Sequence, residues 1–221
     1  MSARAIIFDF DGTLADTIPA IAEGVNLAME KYGFPTHSRA AVESFINNGP
    51  RMLIRRALPK EKQEDEALLD RILADYTTLY ETVCMHTDRA YDGLYELLLT
   101  LRKKGYRIGV LSNKQDHLVR TLCQRIFPDL CDAVAGTTPG NPTKPDPALT
   151  LRMTEQLGVS PAECILVGDS DVDLHTAQNA GMRHIGVTWG YRSREALIKA
   201  GAVELADTAE ELLSLIESTE N

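Results

Sequence analysis

The sequence predicts an α/β fold, a doubly wound parallel sheet carrying an inserted helical block, on three observations. Short apolar runs rich in β-branched residues alternate with helical patterns. Helix-start signals such as Ser160-Pro161-Ala162-Glu163 and Thr208-Ala209-Glu210-Glu211 punctuate the second half; both have the form of a capping box. The alternation fails in one region, from about Asp16 to Thr87, where every pattern is helical.

Taken in order, the first strand is expected over Ala5 to Phe8. Further strands are expected over Arg107 to Leu111, Ala133 to Ala135, Cys164 to Val167 and His184 to Val187. The helical block reads as a helix from about Pro19 to Lys31 ended by Gly33, one near Ser38 to Ile46, one after Pro50, and a long one from Lys60 to about Cys84. This divides the chain into an α/β core, residues 1–15 and 88–221, and an inserted helical cap, residues 16–87. The run KEKQEDEALLD reads as a solvated helix face.

Bulk properties exclude some functions. The 221 residues, 44% hydrophobic and 25% charged, can bury a substantial core, and a net charge of −9 argues against a nucleic-acid binder. No apolar stretch is long enough for a signal peptide or membrane helix, so a cytoplasmic location without membrane association is expected. Cys84, Cys123, Cys131 and Cys164 form no CxxC pair and read as reduced residues. The five histidines, His37, His86, His117, His175 and His184, fall in no metal-binding pattern.

The chemistry gathers at strand ends. In a strand, residues two apart point the same way, so Asp9 and Asp11 face one side where the first strand stops. Ligands bind beyond the carboxyl ends of the strands in open α/β sheets. Two adjacent carboxylates repel unless a cation neutralises them or one holds a proton, and a hard cation such as Mg²⁺ suits their oxygens. Ser112, Asn113 and Lys114 follow the Arg107 run; Asp169, Ser170, Asp171 and Asp173 follow the Cys164 run; Lys144 lies between, in TKPDP. Each has a plain structural reading as well. The aspartates can be turn residues, Ser112 and Asp171 helix N-caps, and Lys144 a solvated loop lysine. Together they put a hydroxyl, an ammonium and several carboxylates on one rim of one sheet.

The segments DFDGT, LSNK, KPDP and VGDSDVD resemble, in order, the four motifs of the haloacid dehalogenase superfamily, and the resemblance spans the whole chain. It implies a Rossmann-like core with a helical cap inserted after the first motif. It also implies a Mg²⁺-dependent phosphatase in which Asp9 attacks phosphorus and Asp11 protonates the leaving alcohol, then accepts a proton from water. Ser112 would hydrogen-bond the phosphoryl oxygens, and Lys144 would bridge nucleophile and phosphate. Asp169 would hold the metal with Asp9 and the main-chain carbonyl of Asp11, supported by Asp173. Thr13 and Asn113, within the first two motifs, are expected to contact substrate.

Three further segments, NNGPRMLIRRAL, AYDGLYELLLTLRKKGYRIGVLSNK and GVTWGYRSREALIKAGA, are similar to the phosphoglycolate phosphatase branch. The chain departs from that branch at Ala90-Tyr91-Asp92-Gly93, often Pro-Tyr-Pro-Gly, and at Ser112-Asn113-Lys114-Gln115, often Thr-Asn-Lys-Pro. The expected substrate is thus a small phosphorylated metabolite, 2-phosphoglycolate first, for a monomer or homodimer. Asn48, Gly49 and Arg51 are expected in a cap loop, with Arg51 either pairing with a substrate carboxylate or simply solvated. Trp189 either lines the site entrance or packs near a strand end. Three other enzyme readings compete: action on pyrophosphate or a nucleotide, a sugar phosphomutase, and a true dehalogenase. The mutases carry a cap His where this chain has Ile21. A different class, an aspartate-phosphorylated receiver module, lacks both the helical insertion and an acid two residues after the phosphoacceptor.

Overall fold

The computed structural model describes residues 3–46, 49–87 and 89–218. The chain divides into two compact units, Met1–Asp16 with Arg89–Asn221, and Thr17–Asp88.

All described strands belong to the first unit: β1 (Ala5–Phe8), β2 (Ala15–Asp16), β3 (Arg89–Ala90), β4 (Arg107–Gln115), β5 (Ala133–Thr137), β6 (Cys164–Gly168), β7 (Arg183–Val187) and β8 (Leu205–Ala206). Helices α1 (Ile18–Lys31), α2 (Arg39–Phe45), α3 (Gly49–Ala57) and α4 (Glu66–Thr87) make the second unit. The first unit continues with α5 (Leu94–Lys103), α6 (Asp116–Ile126), α7 (Ala148–Leu157), α8 (Asp171–Ala180), α9 (Arg194–Ala200) and α10 (Ala209–Glu217).

Six strands form a parallel sheet in the order β5-β4-β1-β6-β7-β8. Strand β1 lies centrally, with Ile7 opposite Gly109 of β4 on one side and Leu166 of β6 on the other. Its four residues are completely buried, which is why the sequence there is continuously apolar rather than alternating. Helices α7 and α8 seat Met153, Leu157, Ala177 and Ala180 on Ala5, Ile7, Leu111 and Leu166. Alternation along the strands turns Ile6, Phe8, Ile108 and Val110 to the opposite face, and α5, packed on β4, meets α10. The chain builds leftward from β1 through β4 to β5, then crosses to the other side for β6, so β1 marks the switch point where such sheets bind ligands.

In the helical unit α1 packs along α4, burying Ile21, Val25 and Met29 on one helix and Leu69, Ile72, Tyr76 and Tyr80 on the other. Pro19 stands in the first turn of α1, and Ser38 Oγ accepts from the Ala41 amide at the start of α2.

Four details differ from the sequence reading. The region from Lys60 is not one helix: a 3₁₀ turn, Lys60–Lys62, precedes α4, which restarts because Asp65 Oδ1 accepts from the Leu68 amide at 3.0 Å. Ser160 caps only a 3₁₀ turn, Pro161–Glu163, after which the chain enters β6 at once. The long strand β4 runs past Leu111 to Gln115 across a register shift. Strand β8 and the antiparallel β2–β3 ribbon are two residues deep, too short to show periodicity.

Candidate active site

The Asp9 amide donates to the Val167 carbonyl at 2.9 Å, carrying the β1–β6 ladder one residue beyond β1 and fixing where Asp9 emerges. The chain then turns tightly: the Leu14 and Ala15 amides both donate to Phe10 O, at 3.0 and 2.9 Å, and Gly12 takes a φ of +81°. A Cβ on Gly12 would lie 2.5 Å from Asp169 Oδ2, so the turn needs glycine for its conformation and for its closeness to Asp169.

Asp9 Oδ1 accepts from the Phe10 amide at 2.7 Å and pairs with Lys144 Nζ at 2.8 Å. Lys144 is 7% exposed, and its ammonium also donates to Asp173 Oδ1 at 2.6 Å. Its main chain is clamped by Asn113, whose Nδ2 donates to Lys144 O at 3.0 Å and whose Oδ1 accepts from Lys144 N at 2.9 Å. Asn179 of α8 donates to the next carbonyl, Pro145 O, at 2.9 Å; the Lys144-Pro145 peptide is cis. Asp173 is fully buried, and its Oδ2 accepts from the Ser170 hydroxyl at 2.6 Å and the Ser170 amide at 3.2 Å, closing a capping box at the start of α8. Asp169 accepts from Thr13 Oγ1 at 3.2 Å and from the Tyr191 amide at 2.7 Å.

Asp9, Asp169 and Asp173 are buried and each offers an oxygen within 4.8 Å of the others. Burial, reinforced by Asp173, lifts the Asp169 carboxyl from 3.8 to about 7. Burial likewise raises Asp9 well above its ordinary value although Lys144 opposes it, and Asp173 and Asp169 add to the rise. Burial acts to lower the Lys144 ammonium, but Asp173 and Asp9 outweigh it and the net direction is upward. One ammonium therefore faces three carboxylates in a low-dielectric site, and two of them favour holding protons. An all-oxygen donor set with that charge imbalance fits a hard divalent cation, which would relieve the repulsion in place of protons.

Asp11 points elsewhere. Its Oδ1 is 2.5 Å from Lys114 Nζ and its Oδ2 accepts from the Ser112 hydroxyl at 3.4 Å, while Ser112 Oγ accepts from the Lys114 amide at 3.1 Å. The Lys114 ammonium also lies 5.6 Å from the Phe10 ring centroid.

The predicted residues thus separate by task. Asp9, Lys144, Asp169 and Asp173 come together, with Asp11 and Ser112 as a second group. Lys144 is no solvated loop lysine, and neither Ser112 nor Asp171 is an N-cap: α8 is capped by Ser170 and α6 follows Gln115. Among the metal candidates, the Asp11 carboxylate is outside the acidic triad, and Asp173 already serves Lys144 and Ser170. Thr13 is fully buried with its hydroxyl on Asp169, and Asn113 uses both ends of its amide on Lys144, so each positions a site residue. Gly49 and Arg51 are in α3 rather than a loop; Arg51 holds Glu66 and Asp70 of α4, each at 2.5 Å, so its guanidinium is engaged within the helical unit. Asn48 lies outside the described residues. Trp189 donates from Nε1 to Thr13 O at 3.0 Å, which ties it to the β1 turn.

Sequence reasoning assigned no role to Lys114, Ser170 or the Tyr191 amide. The same two-residue spacing that pairs Asp9 with Asp11 links Ser112 with Lys114, a usable signal for the lysine. A main-chain amide carries no signal in residue type.

The sequence model of the haloacid dehalogenase-like hydrolases matches residues 6–187. A phosphoglycolate phosphatase of Vibrio cholerae is 30% identical over 221 residues, covering 97% of each chain. One from Pseudomonas putida is 32% identical over 192 residues, 85% of this chain and 70% of its own. A crystal structure from Lactobacillus delbrueckii subsp. bulgaricus, provisionally named a phosphoglycolate phosphatase, superposes with a TM-score of 0.89 at 32% identity, covering 98% of this chain and 99% of that one. No helix among the described residues is long and apolar enough to cross a membrane. With its motifs on the ends of β1, β4 and β6 and along the loop before α7, the chain belongs to the haloacid dehalogenase-like hydrolase family, in the branch similar to phosphoglycolate phosphatases.

Proposed function

We propose that this protein hydrolyses small phosphomonoesters, 2-phosphoglycolate foremost, through a phosphoryl group carried on Asp9 and with Mg²⁺ as cofactor. The observation that carries the reading is the state of Asp9. One carboxylate oxygen is pinned by the Phe10 amide and Lys144, and Oδ2 has no hydrogen-bond donor among the described residues, which leaves it for attack.

Asp9 and Asp169, with the Asp11 main-chain carbonyl, would hold Mg²⁺, which when bound supplies positive charge against the phosphoryl oxygens and the carboxylates. In the first half-reaction Asp9 Oδ2 forms a bond to phosphorus as the ester P–O bond breaks, and Asp11 delivers its proton to the departing alkoxide. In the second, Asp11 takes a proton from water, whose oxygen attacks phosphorus and frees Asp9. Lys144 holds Asp9 in place and offsets charge on the phosphoryl group, and the Ser112 hydroxyl, 3.4 Å from Asp11 Oδ2, would donate to the phosphoryl oxygens. Phosphoryl transfer depends mainly on such positioned charge. A net charge of −9 favours a small phosphorylated metabolite over nucleic acid as partner. By the family resemblance, the helical unit acts as the cap that selects the ester.

The test is phosphate release across phosphoglycolate, sugar phosphates, nucleotides and pyrophosphate, with Mg²⁺ or EDTA. Release should be strongest with phosphoglycolate and stop with EDTA or Asp9→Asn. Full activity under either condition would sink the mechanism, and stronger release from another ester would reassign the substrate.

A further inference from the structure

We propose that Lys114 is a specificity residue that binds the carboxylate of the substrate, exchanging Asp11 for it when the ester enters. The inference rests on the phosphomonoesterase reading above and deepens it.

Lys114 is held with little freedom. It lies on the irregular extension of β4, where its amide donates to Ser112 Oγ at 3.1 Å, and its side chain is 6% exposed. Its ammonium is 2.5 Å from Asp11 Oδ1, and the Asp11 side chain, 22% exposed, is the more accessible partner. Asp11 cannot both retain this tight contact and turn to the ester oxygen. When it turns, the ammonium gives up that contact, and a substrate carboxylate can take the position that Asp11 vacates.

A 2-phosphoglycolate molecule brings that anion. Its carboxylate oxygens are three bonds from the ester oxygen, about 3 Å away at ordinary bond lengths. The ester oxygen must come within about 3 Å of Asp11 to receive its proton. The ammonium beside Asp11 is thus within one side-chain rearrangement of the substrate carboxylate. An ester with a neutral or cationic group there would leave Lys114 on Asp11. Discrimination would then arise at the acid itself, from a competition between two carboxylates for one ammonium.

The experiment compares kcat/KM for 2-phosphoglycolate and for ethyl phosphate, which has the same ester linkage without the carboxylate. Wild type should favour phosphoglycolate. Lys114→Met should reduce that preference by roughly 10- to 100-fold, the range expected for one charge-assisted hydrogen bond, and Lys114→Arg should restore part of it. In the Asp9→Asn protein, calorimetry should show Lys114→Met weakening phosphoglycolate at least 10-fold more than inorganic phosphate. Equal losses on both esters would overturn the inference and leave Lys114 a tether for Asp11, with the phosphatase reading intact. Release from ethyl phosphate but not from phosphoglycolate would remove the substrate assignment and the role of Lys114 together.

Discussion

Raising the pH of the cation-free protein should destabilise it through Asp169. Its carboxyl is lifted from 3.8 to about 7 by burial and by Asp173. The folded state therefore keeps a proton that the unfolded chain has already released. The Asp169 contribution is complete below pH 4, falls as pH rises through the window up to about 7, and is level above it. Each pH step inside that window costs about 1.4 kcal/mol, so the whole is on the order of 4 kcal/mol, of which about 3 kcal/mol lies between pH 5 and pH 8. Asp9 acts in the same direction. Urea unfolding in EDTA measures this, with Asp169→Asn as the reference that cancels the titrating groups remote from Asp169; asparagine can still accept from the Tyr191 amide and meet Thr13. The wild-type advantage over Asp169→Asn should shrink by about 3 kcal/mol from pH 5 to pH 8. Added Mg²⁺ competes with the protons, so its stabilisation of wild type should be small at pH 5 and large at pH 8. A difference that is flat or rises with pH, or equal stabilisation by Mg²⁺ at both values, would refute the reasoning.

Three further outcomes follow from the same geometry. A Cβ at Gly190 would overlap Asp169 Cβ and the Gly12 carbonyl, so Gly190→Ala should displace Asp169 and reduce phosphate release about 100-fold; near-normal turnover would show that the loop yields without moving Asp169. Lys144→Met leaves Asp9 and Asp173 buried without their shared cation, and should cost about 3–5 kcal/mol in urea unfolding at pH 8, as well as activity; unchanged stability would contradict the charge balance described for the site. His184 has both ring nitrogens enclosed without a hydrogen-bond partner among the described residues, and burial lowers it to about 4. Its contribution is present above pH 6.5 and is lost as pH falls towards 4, by up to about 3 kcal/mol relative to His184→Leu, and parallel pH profiles for the two proteins would refute this.

Much of the core was legible because burial on both faces leaves a plain mark. Ala5 to Phe8, Cys164 to Val167 and the Leu-rich helices are read directly from apolar runs and their period. Elements set by contacts distant in sequence left no such mark. The β2–β3 ribbon joins Ala15 to Ala90, and the β8 edge is two residues set beside Gly186 and Val187. Lys144 had no periodic signal; only its resemblance to a motif separated it from a loop lysine, and burial between Asp9 and Asp173 separates it physically. The pairing of Arg51 was not legible because its partners, Glu66 and Asp70, are on another helix.

By itself the sequence determined the residue types at the strand ends and the alternation that builds a parallel sheet, since these depend on local periodicity and side-chain chemistry, whereas the expected pairing of Asp9 with Asp11 on one side of β1 gives way to a turn after Phe8 that sends Asp11 to Lys114 and Ser112. Tertiary structure alone decided which of those groups share charge. Lys144 fell to Asp9 and Asp173, Lys114 to Asp11, and Thr13 and the Tyr191 amide to Asp169. The reason is electrostatic. Pairing strength depends on separation and on the exclusion of water, and both are set only when β1, β4 and β6 are side by side.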